Sequence, residues 1–374
     1  MSPKSKITTV AFIAGVRPQF VKLAAINSAI KTFNQRSKYQ IRPQYINSGQ
    51  HYDDMLVSAI TKELGVRFDF ELTHDDYEPL RLLSNMIVGT HDILTRMDPP
   101  PSWVVVFGDT NTTVAAAFAA RRAGFNVVHV EAGVRSGDLA SPEEINRRIV
   151  DHISTVHFCT SKTSVANLKK ENIREYVFWT GDLAYDFFLQ QQSNLEMTKE
   201  SPWNDTGYIL ITIHKPVNLS KNVLSSLLDA LNRQGRRSIF VMHPNCKRRL
   251  EEFGLMSQTH RVKFIDALPF RTMIAAMAGS AYIITDSGGI QREAYYLRKR
   301  CLLRRNSVGW SSFVDAGIHR LIGSDTTNIQ AGLDWIEDAI ANLKYEKVRG
   351  FIRKDAAAYA LDKLVELNSA ELLR

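Results

Sequence analysis

The sequence predicts an α/β protein built from two doubly wound domains, and three observations carry that prediction. Short apolar runs rich in β-branched residues alternate with longer amphipathic runs along most of the 374 residues. This alternation is typical of parallel sheets covered by helices on both faces. A polar stretch interrupts the alternation once, near the middle of the chain, and the length suits two domains of ordinary size.

The first half of the chain supplies the elements of the first predicted domain, residues 1–185. Its strands are predicted at TTVAFIAG, RPQYINSG, SWVVVFGD, NVVHVEAG and TVHFCTS. Helices are predicted at RPQFVKLAAINSAIKTF and NTTVAAAFAARRAG, among others. Pro18 near the start of the first of these helices suits a first helical turn.

The polar stretch LQQQSNLEMTKESPWND is predicted to link this domain to a second one, residues 186–350. The alternation then resumes, with strands predicted at GYILITIH, SIFVMHP, VKFIDAL, AYIITDSGG and CLLR. Helices are predicted between them at LSSLLDALNRQG, CKRRLEEFG, FRTMIAAMAGS and IQREAYYLRKR.

Composition and charge exclude several classes of protein. Apolar residues make up 44% and charged residues 23%, which is the balance of a soluble globular chain, and no apolar run approaches the ~20 residues of a membrane span. The basic N-terminus lacks a signal-type cleavage site. Three scattered cysteines, Cys159, Cys246 and Cys301, give no zinc spacing and favour a reducing cytosol.

The formal net charge of +8 favours an anionic partner. The basic residues are spread along the chain in twos and threes, without an aromatic-interleaved tract or a nucleic-acid motif. We therefore expect a small anionic ligand and no nucleic acid.

Polar side chains follow most of the predicted strands. Ligands of doubly wound sheets bind outside the carboxyl ends of the strands, so these residues are the candidates for chemistry. In chain order they are Gly15, Arg17, His51, Asp109, Glu131, Arg135, His214, His243, Asp286, Ser287, Gly288, Gly289 and Glu293.

Each of these residues also has a purely structural explanation. Asp109 alone suits a helix cap, and a lone histidine at a strand end is more often a structural hydrogen-bonding group. Glu131 and Arg135 are close enough in sequence to pair on the surface. Glu143 and Arg147 stand four residues apart on a predicted helix, where an exposed ion pair is the default.

The stretch TDSGGIQREA is the strongest of these local patterns. A β-branched strand runs into Ser287, Gly288 and Gly289, and a helix follows. Glycines let the backbone approach a ligand closely, and the N–H groups of a helix start attract an anion. With the similar start at Arg17 in the other domain, the pattern predicts a diphosphate-linked ligand; the alternative is a glycine-rich turn.

Three carboxylates are expected near the same ligand: Asp109, Glu131 and Glu143. Carboxylates that share a cleft raise one another's pKa, and acid–base chemistry needs such groups. The structural alternative for the last of them is a helix start with Ser141 as N-cap and acidic residues in the first turn.

The motifs taken together resemble a known family. In order they are RPQFVK, SGQHYD, GDTNTT, HVEAGVRS, PEEINR…DHIS…FCTS, GD…YD, HKPVN, HPN, LPF, TDSGGIQREA and AG…RLIGSD. They resemble those of the non-hydrolysing UDP-N-acetylglucosamine 2-epimerases and cover the chain from about residue 10 to about residue 330. Their order is far more specific than any one motif.

The resemblance implies a glycosyltransferase B type of fold, with two Rossmann-like domains and the active site in the cleft between them. It implies that a last helix, within residues 351–374, returns to the first domain. The implied reaction inverts C2 of the sugar by elimination and re-addition of UDP, with no metal and no redox cofactor. A cytoplasmic homodimer that serves polysaccharide precursor synthesis is expected.

Matching positions then assign roles that the resemblance implies. Asp109, Glu131 and Glu143 would be acids and bases, and His214 would help the diphosphate leave and return. The residues that would hold phosphate are Arg17, Lys22, Arg147, Ser287 and the amides of Gly288 and Gly289. His51, Arg135 and His243 match further polar substrate-binding positions.

The chain departs from the family pattern in three places. RPQ replaces a common RPE, and Lys215 stands where arginine is usual. In SVGWSSFVDAG, Trp310 keeps an aromatic variant, whereas Gly309 and Ser312 stand where carboxylates are expected. The second of those carboxylates usually grips the ribose, and the hydroxyl of Ser312 makes a weaker contact, so weaker UDP binding is predicted.

Alternatives to a 2-epimerase remain open at this stage. A hydrolysing enzyme of the same type would release free sugar and UDP. A glycosyltransferase on the same fold and a catalytically silent nucleotide-sugar-binding protein are further possibilities. The intact carboxylates and His214 argue against a silent protein.

Overall fold

The chain forms two compact units in a computed structural model that describes residues 6–50, 54–195 and 206–369. The first unit comprises Met1–Leu189 and Arg349–Arg374, and the second comprises Gln190–Val348. No helix among the residues described in these ranges is long and apolar enough to cross a membrane.

The first unit is organised around a seven-stranded parallel sheet. Its strands are β1 (Lys6–Ala14), β2 (Tyr39–Asn47), β3 (Phe70–Glu71), β4 (Trp103–Phe107), β5 (Val127–Val130), β6 (Val156–Cys159) and β7 (Val177–Trp179). The order across the sheet is β3-β2-β1-β4-β5-β6-β7, so the direction of winding reverses between β1 and β4. This is the strand order of a doubly wound nucleotide-binding fold.

Helices separate these strands along the chain. They are α1 (Arg17–Arg36), α2 (Asp54–Leu64), α3 (Pro79–Arg96), α4 (Asn111–Arg122), α5 (Pro142–Ile153), α6 (Lys162–Lys170) and α7 (Leu183–Leu195). The central strands β4 and β5 are buried along their whole length, as expected for a parallel sheet covered on both faces.

The second unit repeats the design with a six-stranded parallel sheet. Its strands are β8 (Ile209–Thr212), β9 (Ser238–Met242), β10 (Val262–Asp266), β11 (Tyr282–Thr285), β12 (Cys301–Leu303) and β13 (His319–Leu321). Their order is β10-β9-β8-β11-β12-β13, so the winding reverses between β8 and β11.

The helices of the second unit are α8 (Lys221–Arg233), α9 (Pro244–Glu252), α10 (Phe270–Gly279), α11 (Gly288–Tyr296), α12 (Ser311–Asp315) and α13 (Ile329–Asn342). A 3₁₀ helix at Pro216–Asn218 follows β8. Leucine and isoleucine side chains of α8 and α13 pack with β8 and β11 into one buried core.

The last helix, α14 (Ala356–Ser369), packs against α1 of the first unit. Arg36 of α1 approaches Asp362 to 3.5 Å, and Asn368 donates a hydrogen bond to Thr8 of β1. The backbone N–H of Ala357 donates to Asp186 at 2.7 Å. The helix α14 is thus part of the first unit, whose first segment ends at Leu189 and whose second segment begins at Arg349.

The structure differs from the predicted elements mainly where elements are short. The strands β3 and β7 have two and three residues, too few for a periodic pattern to be recognised. The start of the predicted linker is helical, because α7 continues to Leu195. Residues 196–205 of that linker lie outside the described residues.

Candidate active site

In each unit, some of the predicted site residues lie at the point where the winding of the sheet reverses. In the first unit, Arg17 begins α1 directly after β1, and Asp109 follows β4. In the second unit, His214 follows β8 and Ser287 follows β11. Ligands of open α/β sheets bind at these points, because the loops on either side diverge there and leave a crevice.

Four of the predicted residues form one charged cluster in the first unit. Glu131 after β5 forms an ion pair with Lys22 of α1, and Asp109 forms one with Arg147 of α5. Lys22, Glu131 and Arg147 are all buried. Burial alone would lower the pKa of Arg147, but the charges of Asp109, Glu131 and Glu144 outweigh it and raise that pKa.

The backbone of Glu131 is in the left-handed region, with φ of 77°. A residue with a side chain rarely adopts this conformation, which costs on the order of 1–3 kcal/mol and is often found at functional sites. The backbone N–H of Glu131 donates to the carbonyl of Phe158 in β6, which holds the strained residue in place.

Asp109 does not cap a helix, so its structural alternative is wrong. The N-cap of α4 is Thr110, whose hydroxyl and backbone exchange hydrogen bonds with Thr113. The side chain of Asp109 remains about a quarter exposed beside Arg147, at 26%. Its carboxylate is therefore available to a ligand from one side.

The acidic residue that pairs with Arg147 within α5 is Glu144. Its Oε2 lies 3.3 Å from Nη1 of Arg147, and it also accepts a hydrogen bond from the N–H of Ser136 at 2.8 Å. Glu143 is half-buried in the first turn and accepts a hydrogen bond from the hydroxyl of Ser141, the N-cap of the helix. An ion pair between Glu144 and Arg147, three residues apart, is thus found in place of the expected pair between Glu143 and Arg147.

Arg135 has other partners than the Glu131 suggested by sequence proximity. Its guanidinium binds the carboxylate of Glu171 through two hydrogen bonds of 2.7 Å, and its Nη1 lies 2.7 Å from Oδ2 of Asp151. The surface pair of Glu131 with Arg135 is therefore wrong. Arg135 fastens the loop after β5 to α5 and α6.

A fully buried histidine that the sequence analysis did not single out holds the two acidic loops together. Nε2 of His129 donates to the carbonyl of Gly108 at 2.8 Å, and Nδ1 donates to Asp151 at 2.6 Å. Burial alone would raise the pKa of Asp151, but the charge and hydrogen bond of His129 and the charge of Arg135 hold it at about 2. The sequence signal was His129 within HVEAG, two residues before Glu131.

Gln19 explains the RPQ variant of the first motif. Its buried carboxamide accepts a hydrogen bond from the N–H of Gly15 at 2.8 Å and donates one to the carbonyl of Phe107 at 2.8 Å. It also donates to the hydroxyl of Thr110. A carboxylate cannot donate these bonds, so Gln19 suits a direct link between the loops after β1 and β4.

The second unit organises His214 through a buried carboxylate. Asp286 accepts hydrogen bonds from the backbone N–H groups of His214 and Lys215 and from the side chain of Asn218. Nδ1 of His214 lies 2.9 Å from Oδ1 of Asp286, and this bond leaves Nε2 to face a ligand. Burial would raise the pKa of Asp286, but the hydrogen bond from His214 lowers it below the usual range.

The remaining predicted residues of the second unit lie on nearby loops. The ring of His243 is exposed and 5.9 Å from that of His214. Ser287 is the N-cap of α11, and its hydroxyl accepts a hydrogen bond from Ile290. Ser312 is half-buried in α12, beside a buried Trp310.

Trp310, the aromatic residue of the variant loop, has a cation on one face. A guanidinium, that of Arg292, lies 5.0 Å from the centre of the Trp310 ring and occupies one of its faces. His51 lies outside the described residues, so its assignment stays a prediction. No group of three histidine, cysteine or acidic side chains that could hold a metal ion is found within residues 6–50, 54–195 and 206–369.

Comparison with known proteins indicates the same family as the motifs, over nearly the whole chain. The family model described as UDP-N-acetylglucosamine 2-epimerase matches residues 33–364. A UDP-N-acetylglucosamine 2-epimerase homolog of Methanococcus maripaludis is 32% identical, over 89% of this chain and 94% of its own. A UDP-2,3-diacetamido-2,3-dideoxy-D-glucuronate 2-epimerase of Pseudomonas aeruginosa is 30% identical, over 83% and 87%.

Solved structures with the same fold include the UDP-GlcNAc 2-epimerase of Methanocaldococcus jannaschii in complex with UDP-GlcNAc and UDP. It is 26% identical with a TM-score of 0.85, over 96% of this chain and 100% of that one. The enzyme of Neisseria meningitidis bound to UDP-GlcNAc has 25% identity and a TM-score of 0.82, over the same shares. The predicted fold class is confirmed, and the chain belongs to the UDP-N-acetylglucosamine 2-epimerase family of isomerases, as its motifs predict.

Proposed function

We propose that the protein interconverts UDP-N-acetylglucosamine, or a related UDP-2-acetamido sugar, with its manno 2-epimer. The observation that carries this proposal is the cluster of Asp109 and Glu131 with Arg147 and Lys22 in a chain of this family. Relatives named for UDP-N-acetylglucosamine and for a diacetamido-glucuronate sugar support this substrate class.

The chemistry explains why such a cluster is needed. The C2 hydrogen of the sugar has no neighbouring carbonyl to acidify it, so the diphosphate must depart before or together with proton loss. Carboxylates stabilise the positive charge that develops at the ring, and one of them removes the proton. Asp109, Glu131 and Glu143 are our candidates for these roles, and the strained backbone of Glu131 supports its choice.

The basic members of the cluster balance the charge of its carboxylates. Arg147 forms an ion pair with Asp109, and Lys22 forms one with Glu131. Arg147 and Lys22, together with Arg17 at the start of α1, are also candidates for a contact with the diphosphate. A ligand phosphate would compete with Asp109 and Glu131 for these cations.

The second unit would bind and release the leaving group. The N–H groups at the start of α11, at Gly288 and Gly289, are suited to phosphate oxygens. His214, held by Asp286, would donate to the diphosphate as it leaves and accept the proton when it returns. His51, Arg135, His243 and Ser312 remain candidate contacts to other parts of the substrate.

We expect a cytoplasmic homodimer that acts without metal or redox cofactor, binds no nucleic acid, and supplies precursors for surface polysaccharides. Support for association comes from exposed apolar side chains on neighbouring helices of one face of the first unit. These are Val88 of α3, Phe118 of α4, and Ile145 and Ile149 of α5. Such a face is typical of an interface.

Incubation with UDP-N-acetylglucosamine in deuterated water tests the proposal. Proton NMR should show deuterium at C2 of intact UDP-sugar, in both epimers. Release of free sugar would instead indicate the hydrolysing reaction. Absence of both changes, with a folded protein, would contradict the proposal and favour a transferase or a silent binder.

A further inference from the structure

We infer that Gln291 and Arg305 bind a phosphate oxygen of the nucleotide at the start of α11. The inference rests on the proposed function and deepens it. Neither residue is among those that the family motifs suggest for phosphate. Three observations carry it: an open backbone at Gly288, a buried carboxamide without a partner, and a neighbouring guanidinium.

The backbone at Gly288 is open on the side that these two side chains flank. A Cβ built on Gly288 would lie 3.8 Å from Nε2 of Gln291 and 3.9 Å from Nη1 of Arg305. Both distances are ordinary van der Waals separations. A small group on Gly288 would therefore fit next to both side chains, near the N–H groups of the first helical turn.

The carboxamide of Gln291 has no partner in the part of the chain that the structure describes. The residue is 1% exposed, and neither Nε2 nor Oε1 makes a hydrogen bond there. Buried polar groups are nearly always satisfied, so an orphaned carboxamide needs an explanation. Helical side chains lean toward the N-terminus of their helix, which directs this carboxamide to the start of α11.

The two adjacent arginines after β12 have different surroundings. Arg304 is fully buried, and its guanidinium donates to the carbonyls of Asp325 at 2.7 Å and Ser324 at 3.0 Å. Arg305 is only partly buried. Among the described residues, no side-chain hydrogen bond or ion pair involves the guanidinium of Arg305, so its charge is available to an anion.

These groups together make a suitable phosphate contact. The guanidinium of Arg305 supplies a charge-assisted bond, the carboxamide of Gln291 supplies a neutral donor, and the helix start supplies backbone donors. The additional charge would offset the weaker ribose contact expected from Ser312. Binding through Arg305 should be strongest at low salt, because the residue is partly solvated.

Calorimetry with UDP and UMP as probes tests the inference on the full chain. Arg305→Gln should weaken UDP binding by roughly tenfold or more, the effect of one charge-assisted hydrogen bond. The loss should shrink as salt is added. Arg233→Gln removes an equal charge from the exposed end of α8 and should leave UDP binding unchanged. An equal loss for UMP would place the contact at the α-phosphate, and a loss for UDP alone at the β-phosphate.

Gln291→Leu separates ligand binding from folding. The carboxamide has no hydrogen-bond partner among the described residues, so leucine should leave the melting temperature unchanged or raise it, while UDP binding weakens. A clear loss of melting temperature would show that the carboxamide serves the fold and would overturn the inference. Wild-type UDP affinity in either variant would overturn it as well. Failure of the unmutated protein to bind UDP would instead contradict the proposed function.

Discussion

His214 depends on a neighbour that has no contact with solvent. Asp286 is fully buried and accepts hydrogen bonds from two backbone N–H groups, from Asn218 and from the ring of His214. This arrangement fixes both the position of the ring and the nitrogen that carries its proton. Asp286 is thus a positioning residue, and its charge matters as well as its shape.

Asp286→Asn should therefore lower turnover by on the order of a hundredfold while UDP affinity changes little. The amide keeps the size of the side chain but presents N–H donors to groups that also donate. Steady-state kinetics and calorimetry on the same preparation check this. Asp229→Asn, on an exposed position of α8, is the matched control. Equal losses of turnover and UDP affinity would contradict a positioning role.

Gly288 allows a simple test of the diphosphate site. Within the described part of the chain, a Cβ there meets no atom closer than 3.8 Å, so Gly288→Ala should fold with unchanged or slightly higher stability. It should weaken UDP binding by about tenfold, because the methyl group occupies the space of a phosphate oxygen. Thermal melting and calorimetry give both readouts. Unchanged UDP binding would exclude the start of α11 as the phosphate site.

At the residue scale, the sequence predicts which residues belong to the site better than it predicts which residues they pair with. Asp109, Glu131, Lys22 and Arg147 were expected near one ligand, and the structure brings them into one cluster. The partners differ because a helix permits pairs at three as well as four residues, and sequence spacing does not choose between them. Glu144 was missed for this reason, since only the fold shows which acid faces inward.

At the scale of elements, the long and strongly periodic segments could be predicted. The central strands of both sheets and the helices α1, α4 and α8 follow the expected apolar patterns. The two- and three-residue strands β3 and β7 could not be predicted, because they pair at a sheet edge through backbone groups and leave no periodic signal. The second half of α7, from Leu189, falls in the predicted linker because glutamines dilute its apolar face.

A buried histidine links three elements of the second unit. His319 of β13 donates from Nε2 to the carbonyl of Gln291 in α11 and accepts at Nδ1 from the N–H of Cys301 in β12. The ring is therefore neutral. Burial, opposed only partly by the hydrogen bond to Gln291, lowers its pKa to about 4.

This shift predicts how acid affects stability. The unfolded chain takes up the histidine proton near its usual pKa of about 6.5. The contribution of neutral His319 to the free energy of unfolding is therefore fully present above about pH 6.5. It is lost as the pH falls toward the pKa of about 4 in the folded protein. The loss attributable to His319 between about pH 7.5 and about pH 4.5 should be about 2–3 kcal/mol. His319→Gln should remove this part of the pH dependence in urea unfolding. An identical pH dependence in both proteins would contradict the assignment.

At the scale of the whole molecule, the exposed apolar face of α3, α4 and α5 predicts self-association. Ile149→Glu introduces a charge into this face at an exposed position, so the subunit should still fold. Analytical ultracentrifugation should show dimers of the unmutated protein and mostly monomers of the variant. Exposed Val217, in the second unit, offers the control Val217→Glu. A dimer that persists in Ile149→Glu would exclude this face.

The two units divide the proposed chemistry between them. The first carries the clustered carboxylates and their cations, and the second carries the helix start and His214. Apart from the additional edge strand β7 of the first sheet, both sheets have the same strand order, and the winding of each reverses at the same place in that order. The central claim is that the carboxylates of the first unit move the C2 proton and stabilise the ring.

The most direct test measures deuterium incorporation at C2 of UDP-N-acetylglucosamine by Asp109→Asn, Glu131→Gln and Glu143→Gln. Each variant should lose about 10²–10⁴-fold in incorporation rate while still binding UDP, because acid–base and charge stabilisation would be lost without the phosphate contacts. Glu175→Gln, on an exposed position of the same unit, should retain the wild-type rate. Near-wild-type incorporation in all three variants would contradict the account and assign these carboxylates to the fold alone.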